Sequence, residues 1–443
     1  MSERDAQHPS GISTALAGLI ALVIGIAGAF GVSMERSLGW DEAMHAGLPA
    51  GRMAVAIEAG ATREAVDVAL DCQQYPPAYP VLLAATAGAD ERAMRATGRV
   101  VWAVGLFGLF GLARAAVRAN GGHGRRAGLL ALALGASSPL AWAYSGTLFL
   151  EAPFWSATTL AIWAWIARGA AGSEGQRLAR EALAGALITL AFFTKFNYGL
   201  LLGAGLGLDL IFSGVHAIRE GAARRFALRT AALAAPFLLA CAWWFWLPWP
   251  AGADVAASHR SAMLDFLGGN TQLAATPYDR RLWDAATFFA PGPRTLVLWA
   301  VGALAACRWA TRPGTRVLIC VLLAGYGPIL AHNFHLDRFL LGPAAALWGL
   351  AGLGLSKLLP RDNRVAVPIA IALLAQAVLL PSFDARLLAV GLGLRTDANA
   401  AYVDQLHTQR LSLAPSRSLP TAGLRRLEHD GLLDLLATHV GRT

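Results

Sequence analysis

Runs of apolar residues that are long enough to cross a lipid bilayer recur along the whole chain. Each run has about 17 to 25 residues, the length that a helix needs to span a hydrocarbon core of about 30 Å. Short charged stretches separate the runs, and only 15% of the residues are charged, against roughly 25% in a soluble domain. The sequence therefore predicts an all-α, polytopic membrane protein with lipid as its main solvent.

About eleven membrane spans follow if Gly, Pro and charged residues are taken as the boundaries of the apolar runs. The predicted spans lie near residues 13–33, 98–117, 126–146, 152–168, 182–194, 197–213, 230–247, 295–310, 317–331, 339–356 and 365–381. The first run is longer than a signal-peptide core and has no clear cleavage site, so we expect it to stay as a span. Thr194, Lys195 and Asn197 interrupt residues 182–213, which leaves one long bent helix as an alternative to two spans.

Arginine clusters predict the orientation of the spans, because positively charged loops are retained on the cytoplasmic side. The net charge of +9 would also suit an anionic partner, but the positions of the arginines favour topology, and we expect no nucleic acid. The clusters are Arg114, Arg118, Arg125 and Arg126; Arg168, Arg177 and Arg180; Arg219, Arg224, Arg225 and Arg229; Arg308, Arg312 and Arg316; Lys357, Arg361 and Arg364. All of them fall on one side if the N-terminus is cytoplasmic and every span crosses.

The opposite, extracytoplasmic side then receives the longer polar segments. These are residues 34–97, residues 248–294 and a C-terminal tail, residues 382–443. We therefore divide the chain into a transmembrane domain, residues 1–381, and a small extracytoplasmic C-terminal segment with moderate helical character. Chemistry is expected on the extracytoplasmic side.

Two adjacent carboxylates, Asp41 and Glu42, directly follow the first span, between Trp40 and His45. A carboxylate at this position would be able to deprotonate a hydroxyl nucleophile or to hold a metal ion. The structural alternative is a helix start with acidic residues in its first turn, which the helix dipole favours without any catalysis.

The same outer segment contains a proline-rich stretch that starts a short apolar run. Residues 81–87 are too few to cross a bilayer, and the prolines before them, including Pro77, are compatible with a helix start but not with its interior. This pattern favours a helix at the membrane surface, with Tyr75 and Tyr79 at the interface.

Two ionisable residues interrupt apolar runs and are expensive to place in lipid, which favours a functional role for both. Glu151 lies between two runs at the predicted outer end, where the structural alternative is a loop carboxylate. Lys195 is one of only two lysines in the chain and requires an anionic partner. That partner is either a phosphate or a carboxylate such as Glu151.

A further polar group lies near the start of the tenth predicted span. Arg338 has the planar guanidinium that binds a phosphate in a bidentate manner. His332 and His335 are three residues apart, but the pair lacks nearby carboxylates and is a weak match to a metal site. We interpret both histidines as hydrogen-bonding residues at the interface.

Taken in order, these segments resemble the GT-C superfamily of membrane glycosyltransferases, in particular the branch with the protein O-mannosyltransferases and the lipid A aminoarabinose transferase. The likeness covers roughly residues 13–356. The matching features are the acidic pair Asp41 and Glu42, the segment Pro76, Pro77 and Tyr79, the acidic residue Glu151, the pair Thr194 and Lys195, and the segment from Arg338 to Pro343. Gln74 replaces the His commonly found before the two prolines, and the tail is short for the mannosyltransferases.

The resemblance implies a GT-C bundle and an inverting transfer of a sugar from a polyprenyl-phosphate donor in a bacterial cytoplasmic membrane. Asp41 would be the general base, while Glu42 and Glu151 would orient substrates or hold a divalent ion with it. Lys195 and Arg338 would bind the donor phosphate, because a leaving phosphate needs positive charge. The remaining candidates for the substrate cavity are Trp40, His45, Tyr75, Pro77, Tyr79 and His335. The acceptor hydroxyl on a lipid, a glycan or a protein is left open.

Two other classes of protein would also place ionisable residues in the membrane. A transporter of lipids or sugars predicts repeats with broken helices, which the sequence lacks, and does not predict a long acidic outer segment. A non-catalytic scaffold of the same fold would use the polar residues only to seal a cavity. The intact acidic pair favours an enzyme.

Overall fold

The computed structural model is helical in the part of the chain that it describes, with no β-strand there. The described residues are 11–30, 43–71, 75–122, 124–138, 141, 144–168, 173–246, 253–268, 293–331, 337–359, 365 and 367–373. The first helices are α1 (Gly11–Phe30), α2 (Leu48–Glu58), α3 (Thr62–Leu70), α4 (Ala78–Ala87), α5 (Glu91–Ala119), α6 (Arg125–Ala136) and α7 (Glu151–Ala167). They are followed by α8 (Glu174–Thr194), α9 (Phe196–Arg219), α10 (Ala223–Trp246), α11 (Ala253–Gly268), α12 (Pro293–Cys307), α13 (Pro313–Ala331) and α14 (Ala344–Leu358).

The helices α5, α9, α10 and α13 are long and apolar enough to cross a membrane. The predicted all-α membrane-type architecture is therefore confirmed, whereas the number of about eleven spans and the side of each loop stay predictions. Helix α5 begins at Glu91, well before the predicted residue 98, because the Asp90 carboxylate caps it and accepts the N–H of Arg92 at 2.8 Å. Helix α6 ends at Ala136, before the predicted end of its span near residue 146, and the extent of that span stays a prediction.

The chain reverses direction at Lys195, between α8 and α9. The backbone of Lys195 is extended, with φ −156° and ψ 100°. Helix α8 therefore ends just before Lys195, and α9 begins just after it. Gly199 packs directly against the backbone of Phe192, which brings the first turn of α9 back onto the last turn of α8. The run is therefore two helices, and the alternative of one long bent helix was wrong.

Small residues let the central helices approach closely, as is usual in membrane bundles. A side chain at Gly105 of α5 would collide with Trp155 of α7, and one at Gly354 of α14 would collide with the backbone of α12. Helix α14 also packs on α6 and α5. At the centre, the buried rings of Trp155 and Trp348 meet edge to face with their centroids 5.5 Å apart.

The described part of the predicted first outer segment folds against one end of this bundle. A π-helical turn, Ala43–Gly47, leads into α2, and α3 and α4 follow. Apolar side chains from these helices form one cluster with the start of α5 and the loop before α7; it includes Met53, Leu83, Met94 and Leu148. This packing fixes the position of the segment that carries the proline-rich stretch.

Candidate active site

A buried ion pair joins the two residues that interrupt apolar runs. Glu151 is the first residue of α7, and Lys195 lies at the reversal between α8 and α9. The Lys195 Nζ donates to the Glu151 Oε1 at 2.6 Å, and the side chains are 5% and 2% exposed. Of the two partners predicted for Lys195, the structure thus shows the carboxylate.

Aromatic rings surround the ammonium group of this pair. The Lys195 Nζ lies 4.8 Å from the centroid of the Tyr198 ring, 5.3 Å from that of Tyr75 and 5.8 Å from that of Phe339. The faces of aromatic rings attract a cation most strongly where water is excluded. The site therefore holds a buried ion pair whose cationic group lies among aromatic rings.

Two of these aromatic contacts, those of Tyr75 and Phe339, connect Lys195 to segments that the sequence analysis singled out. Phe339 belongs to a short 3-10 helix, Asp337–Leu341, and its ring places this segment beside Lys195. The side chain of Arg338 itself, and all of His335, lie outside the described residues. Arg338 as a phosphate ligand therefore stays a prediction.

The proline-rich stretch contributes Tyr75, and the π-helical turn contributes His45. The His45 ring is 5% exposed and meets the Tyr75 ring edge to face with the centroids 4.7 Å apart. His45 lies only three residues after Glu42 in the chain. Trp40, Asp41 and Glu42 lie outside the described residues, but the chain that leads out of them enters the wall of the Lys195 site.

Tyr79 and Pro77 have structural positions at the start of α4. Pro77 is the N-cap residue of the helix, as expected for a proline at a helix start. Tyr79 is 2% exposed and lies in the cluster between α2, α4 and α5, with its hydroxyl close to Gly98. The prediction that Tyr79 is an interfacial side chain was wrong, because helix packing covers it; Tyr75 is only half-buried.

Sequence reasoning missed two buried arginines that hold the loop before Glu151. Arg99 is 2% exposed and donates from Nη1 to the hydroxyl of Ser145 at 2.8 Å. Arg95, one turn earlier, donates to Glu91 at 2.7 Å and to the carbonyl of Gly146 at 3.4 Å. Their spacing of four residues at the start of an apolar run was the available signal, since it places both on one helix face.

A cluster of three or more His, Cys, Asp and Glu side chains that would suit a metal ion is absent from the described part of the chain. The predicted divalent site combines Glu151 with Asp41 and Glu42, both of which lie outside that part. The site therefore stays a prediction.

The comparison with solved structures identifies the architecture. No family model matches the chain, and no curated protein matches it in sequence. ArnT from Cupriavidus metallidurans in the apo state superposes on 96% of this chain and 74% of its own, with a TM-score of 0.57 and 16% identity. ArnT bound to undecaprenyl phosphate superposes on 94% and 77%, with a TM-score of 0.56 and 14% identity.

The chain has the fold of ArnT. The GT-C resemblance that the order of motifs predicts is therefore confirmed at the level of the fold. The likeness extends over nearly the whole chain, so the candidate site sits in a bundle of the ArnT type and not in an unrelated helical protein.

Proposed function

We propose that the protein is an inverting glycosyltransferase of the cytoplasmic membrane in bacteria. It would transfer a sugar from a polyprenyl-phosphate donor to an acceptor hydroxyl on the extracytoplasmic side. The observation that carries the proposal is the buried Lys195–Glu151 pair with its aromatic surroundings, in a fold shared with an ArnT bound to undecaprenyl phosphate. A desolvated cation in an apolar site suits a lipid that ends in a phosphate.

The proposed reaction is a single displacement at the anomeric carbon. The Asp41 carboxylate takes the proton of the acceptor hydroxyl while the hydroxyl oxygen forms a bond to that carbon. The bond from the anomeric carbon to the phosphate oxygen breaks, and its electron pair leaves with the polyprenyl phosphate. Attack and departure on opposite faces invert the configuration.

Lys195 and Arg338 would stabilise the charge that develops on the leaving phosphate. An ammonium group has three N–H donors, so it is able to hold a carboxylate and a phosphate oxygen together. In this proposal Glu151 keeps Lys195 charged and fixed in the apolar site before the donor arrives. Fixed donors aimed at developing charge are often the largest contribution to catalysis.

The acidic pair and the remaining wall residues would handle the acceptor. Glu42 would position the acceptor hydroxyl next to Asp41, with a divalent ion between the carboxylates as the alternative arrangement. In the structure, the His45 ring contacts the Tyr75 ring, which lies 5.3 Å from the Lys195 Nζ. They would therefore line the path between acceptor and donor, together with Trp40, Pro77 and His335.

The test is transfer of radiolabelled sugar from a panel of polyprenyl-phosphate donors to membrane extracts by the purified protein. Asp41→Asn keeps the shape of the side chain but removes the base, so turnover should fall by about a hundredfold to ten-thousandfold. Glu42→Gln should cost less if its role is positioning. The melting temperature of both variants should stay close to that of the wild type.

Asp67→Asn is the matched control, because Asp67 is an exposed acid of α3 in the same outer segment. It should transfer at the wild-type rate. Wild-type transfer by a double variant, Asp41→Asn with Glu42→Gln, would exclude both residues as the base. A wild-type protein that uses none of the donors would contradict the proposed reaction.

A further inference from the structure

A second site lies at the other end of the helices that carry the Lys195–Glu151 pair. A cavity of about 700 Å³ opens there between α5, α7, α8, α9, α10 and α13. Arg168, which lines it, follows the last residue of α7, whereas Glu151 is the first. A helix of 17 residues is about 25 Å long, so this cavity is separate from the candidate active site.

The walls of the cavity carry an excess of positive charge. Among the described residues, six arginines and two carboxylates line it, which gives these residues a formal excess of four positive charges. The charged residues are Arg114, Arg118, Arg168, Arg225, Arg229, Arg316, Glu181 and Asp209. The arginines come from four clusters that the sequence analysis assigned to one side of the membrane.

Asp209 is compensated by the arginines deepest in the cavity. Its carboxylate accepts from Arg316 Nε at 2.8 Å and from Trp165 Nε1 at 3.0 Å. Arg168 Nη2 lies 3.7 Å away, and its guanidinium stacks over the Trp165 ring at 3.9 Å. This half of the wall therefore keeps a formal excess of only one positive charge.

Glu181 differs from Asp209, because only one of its two carboxylate oxygens accepts a hydrogen bond from a described residue. Glu181 Oε1 accepts from Arg229 at 2.8 Å, whereas the buried Oε2 accepts no hydrogen bond from any described residue. A buried carboxylate oxygen is costly to leave without a donor. A hydroxyl group of a ligand in the cavity would supply one.

The uncompensated charge lies nearer to the mouth of the cavity. Arg114 donates to the neutral hydroxyl of Thr14 at 2.5 Å. Arg118 and Arg225 are exposed, and within the described ranges no carboxylate lies at salt-bridge distance from either of them. Within the part of the chain that the structure describes, these three cations thus face one opening without a carboxylate partner.

The rest of the wall is apolar, and this favours a lipid over a soluble anion. Trp163, Phe226 and Leu233 line the cavity beside the arginines. On α10, Arg225, Arg229 and Leu233 recur every four residues, so one helix face changes from charged to apolar with depth. Basic pockets between membrane helices on the cytoplasmic side are typical binding sites for anionic head groups.

We propose that this cavity binds the phosphate of an anionic phospholipid from the leaflet on the arginine-rich side. Arg114, Arg118 and Arg225 hold the phosphate, and the acyl chains lie along Trp163 and Phe226. Glu181 accepts a hydrogen bond from a head-group hydroxyl, which selects a glycerol-type head group. Retention of arginines in cytoplasmic loops explains their side of the membrane but not a half-apolar cavity between helices.

The test uses the purified full-length protein, stripped of lipid in a neutral detergent. Phosphatidylglycerol, phosphatidylcholine and inorganic phosphate are added in turn, and the melting temperature and the lipid retained in native mass spectra are measured. Phosphatidylglycerol should bind and raise the melting temperature, whereas the other two should not. Arg225→Gln should weaken this binding about fivefold, because an arginine near an anionic lipid contributes about 1 kcal/mol.

Arg224→Gln is the matched control, since Arg224 is exposed beside Arg225 but does not line the cavity. It should bind phosphatidylglycerol like the wild type. Equal loss in both variants, or equal stabilisation by phosphatidylcholine, would overturn the site. Equal stabilisation by inorganic phosphate alone would assign it to a soluble anion and overturn the lipid. None of these results depends on glycosyl transfer.

Discussion

The two ends of the bundle pair a buried carboxylate with cations in different ways. At the Lys195 end, one ammonium and one carboxylate are both nearly inaccessible and are enclosed by aromatic rings. At the Asp209 end, the carboxylate is 2% exposed, but Arg168 and Arg316 are 17% and 22% exposed at a cavity. The first arrangement buries both charges of an ion pair, whereas the second shares one carboxylate among several donors beside a cavity.

The two ends also differ in the type of cationic side chain, lysine at one and arginine at the other. Lysine is a compact point charge, which suits a small apolar site such as the one around Lys195. Arginine has a planar fork of donors, which suits Arg316 because it contacts Asp209 and Ser213 together. The contrast predicts that the Lys195 end tolerates substitution poorly and the Asp209 end tolerates it better.

Lys195→Met should give the largest effect. It leaves the Glu151 carboxylate buried without its cation, and breaking a buried pair from one side costs about 3 to 5 kcal/mol. Transfer from a polyprenyl-phosphate donor should also be lost. Unfolding in a denaturing detergent measures the first effect, and a donor titration measures the second.

A double variant, Lys195→Met with Glu151→Gln, separates stability from chemistry. Removing both charges should restore most of the free energy of unfolding, because replacing a whole buried pair is often nearly neutral. Donor use should stay lost, since the Lys195 ammonium is no longer present to bind the phosphate beside Arg338. A double variant that transfers sugar would show that the pair only stabilises the fold. The Lys195 end would then differ from the Asp209 end in stability but not in function.

Asp209→Asn should have a smaller effect, of about 1 to 3 kcal/mol. The amide oxygen still accepts from Trp165, and the released charges of Arg168 and Arg316 are hydrated through the cavity. Transfer should proceed near the wild-type rate, because the cavity is a helix length from Lys195. Loss of transfer in a folded Asp209→Asn protein would show that the two ends are coupled.

The sequence located the Lys195 end because rare ionisable residues interrupt apolar runs there. Asp209 interrupts the run 197–213 in the same way, but hydropathy averaged over the window concealed it. Its partner Arg316 is 107 positions away. Such a pairing depends on which helices are neighbours, and apolar runs alone do not encode that. The cap at Asp90, by contrast, was a local signal that the analysis missed.

The fold as a whole was more predictable than the site. The length and spacing of the apolar runs fix a helical membrane bundle, and the order of polar motifs pointed to the GT-C architecture. The position of Tyr79 was not predictable in this way, because its burial arises from the packing of α2 and α5 around α4. Alternation of polar and apolar residues does not report such tertiary contacts.

Ser213→Ala should give the smallest loss of stability, and it is the most sensitive test of whether water enters the cavity. Ser213 lies one turn after Asp209 on α9, and its hydroxyl accepts from Arg316 Nη2 at 2.8 Å. A buried hydrogen bond to a charged group contributes about 1.5 to 3 kcal/mol, but water in an open cavity replaces much of it, so the loss should stay below about 1 kcal/mol. Thermal unfolding of Ser213→Ala, of Asp209→Asn and of the variant that combines these two substitutions measures it. The two losses should be less than additive, because Asp209 fixes the guanidinium that Ser213 contacts. A loss as large as that of Asp209→Asn would mean that the cavity is dry, and the two ends would then follow the same electrostatic rule.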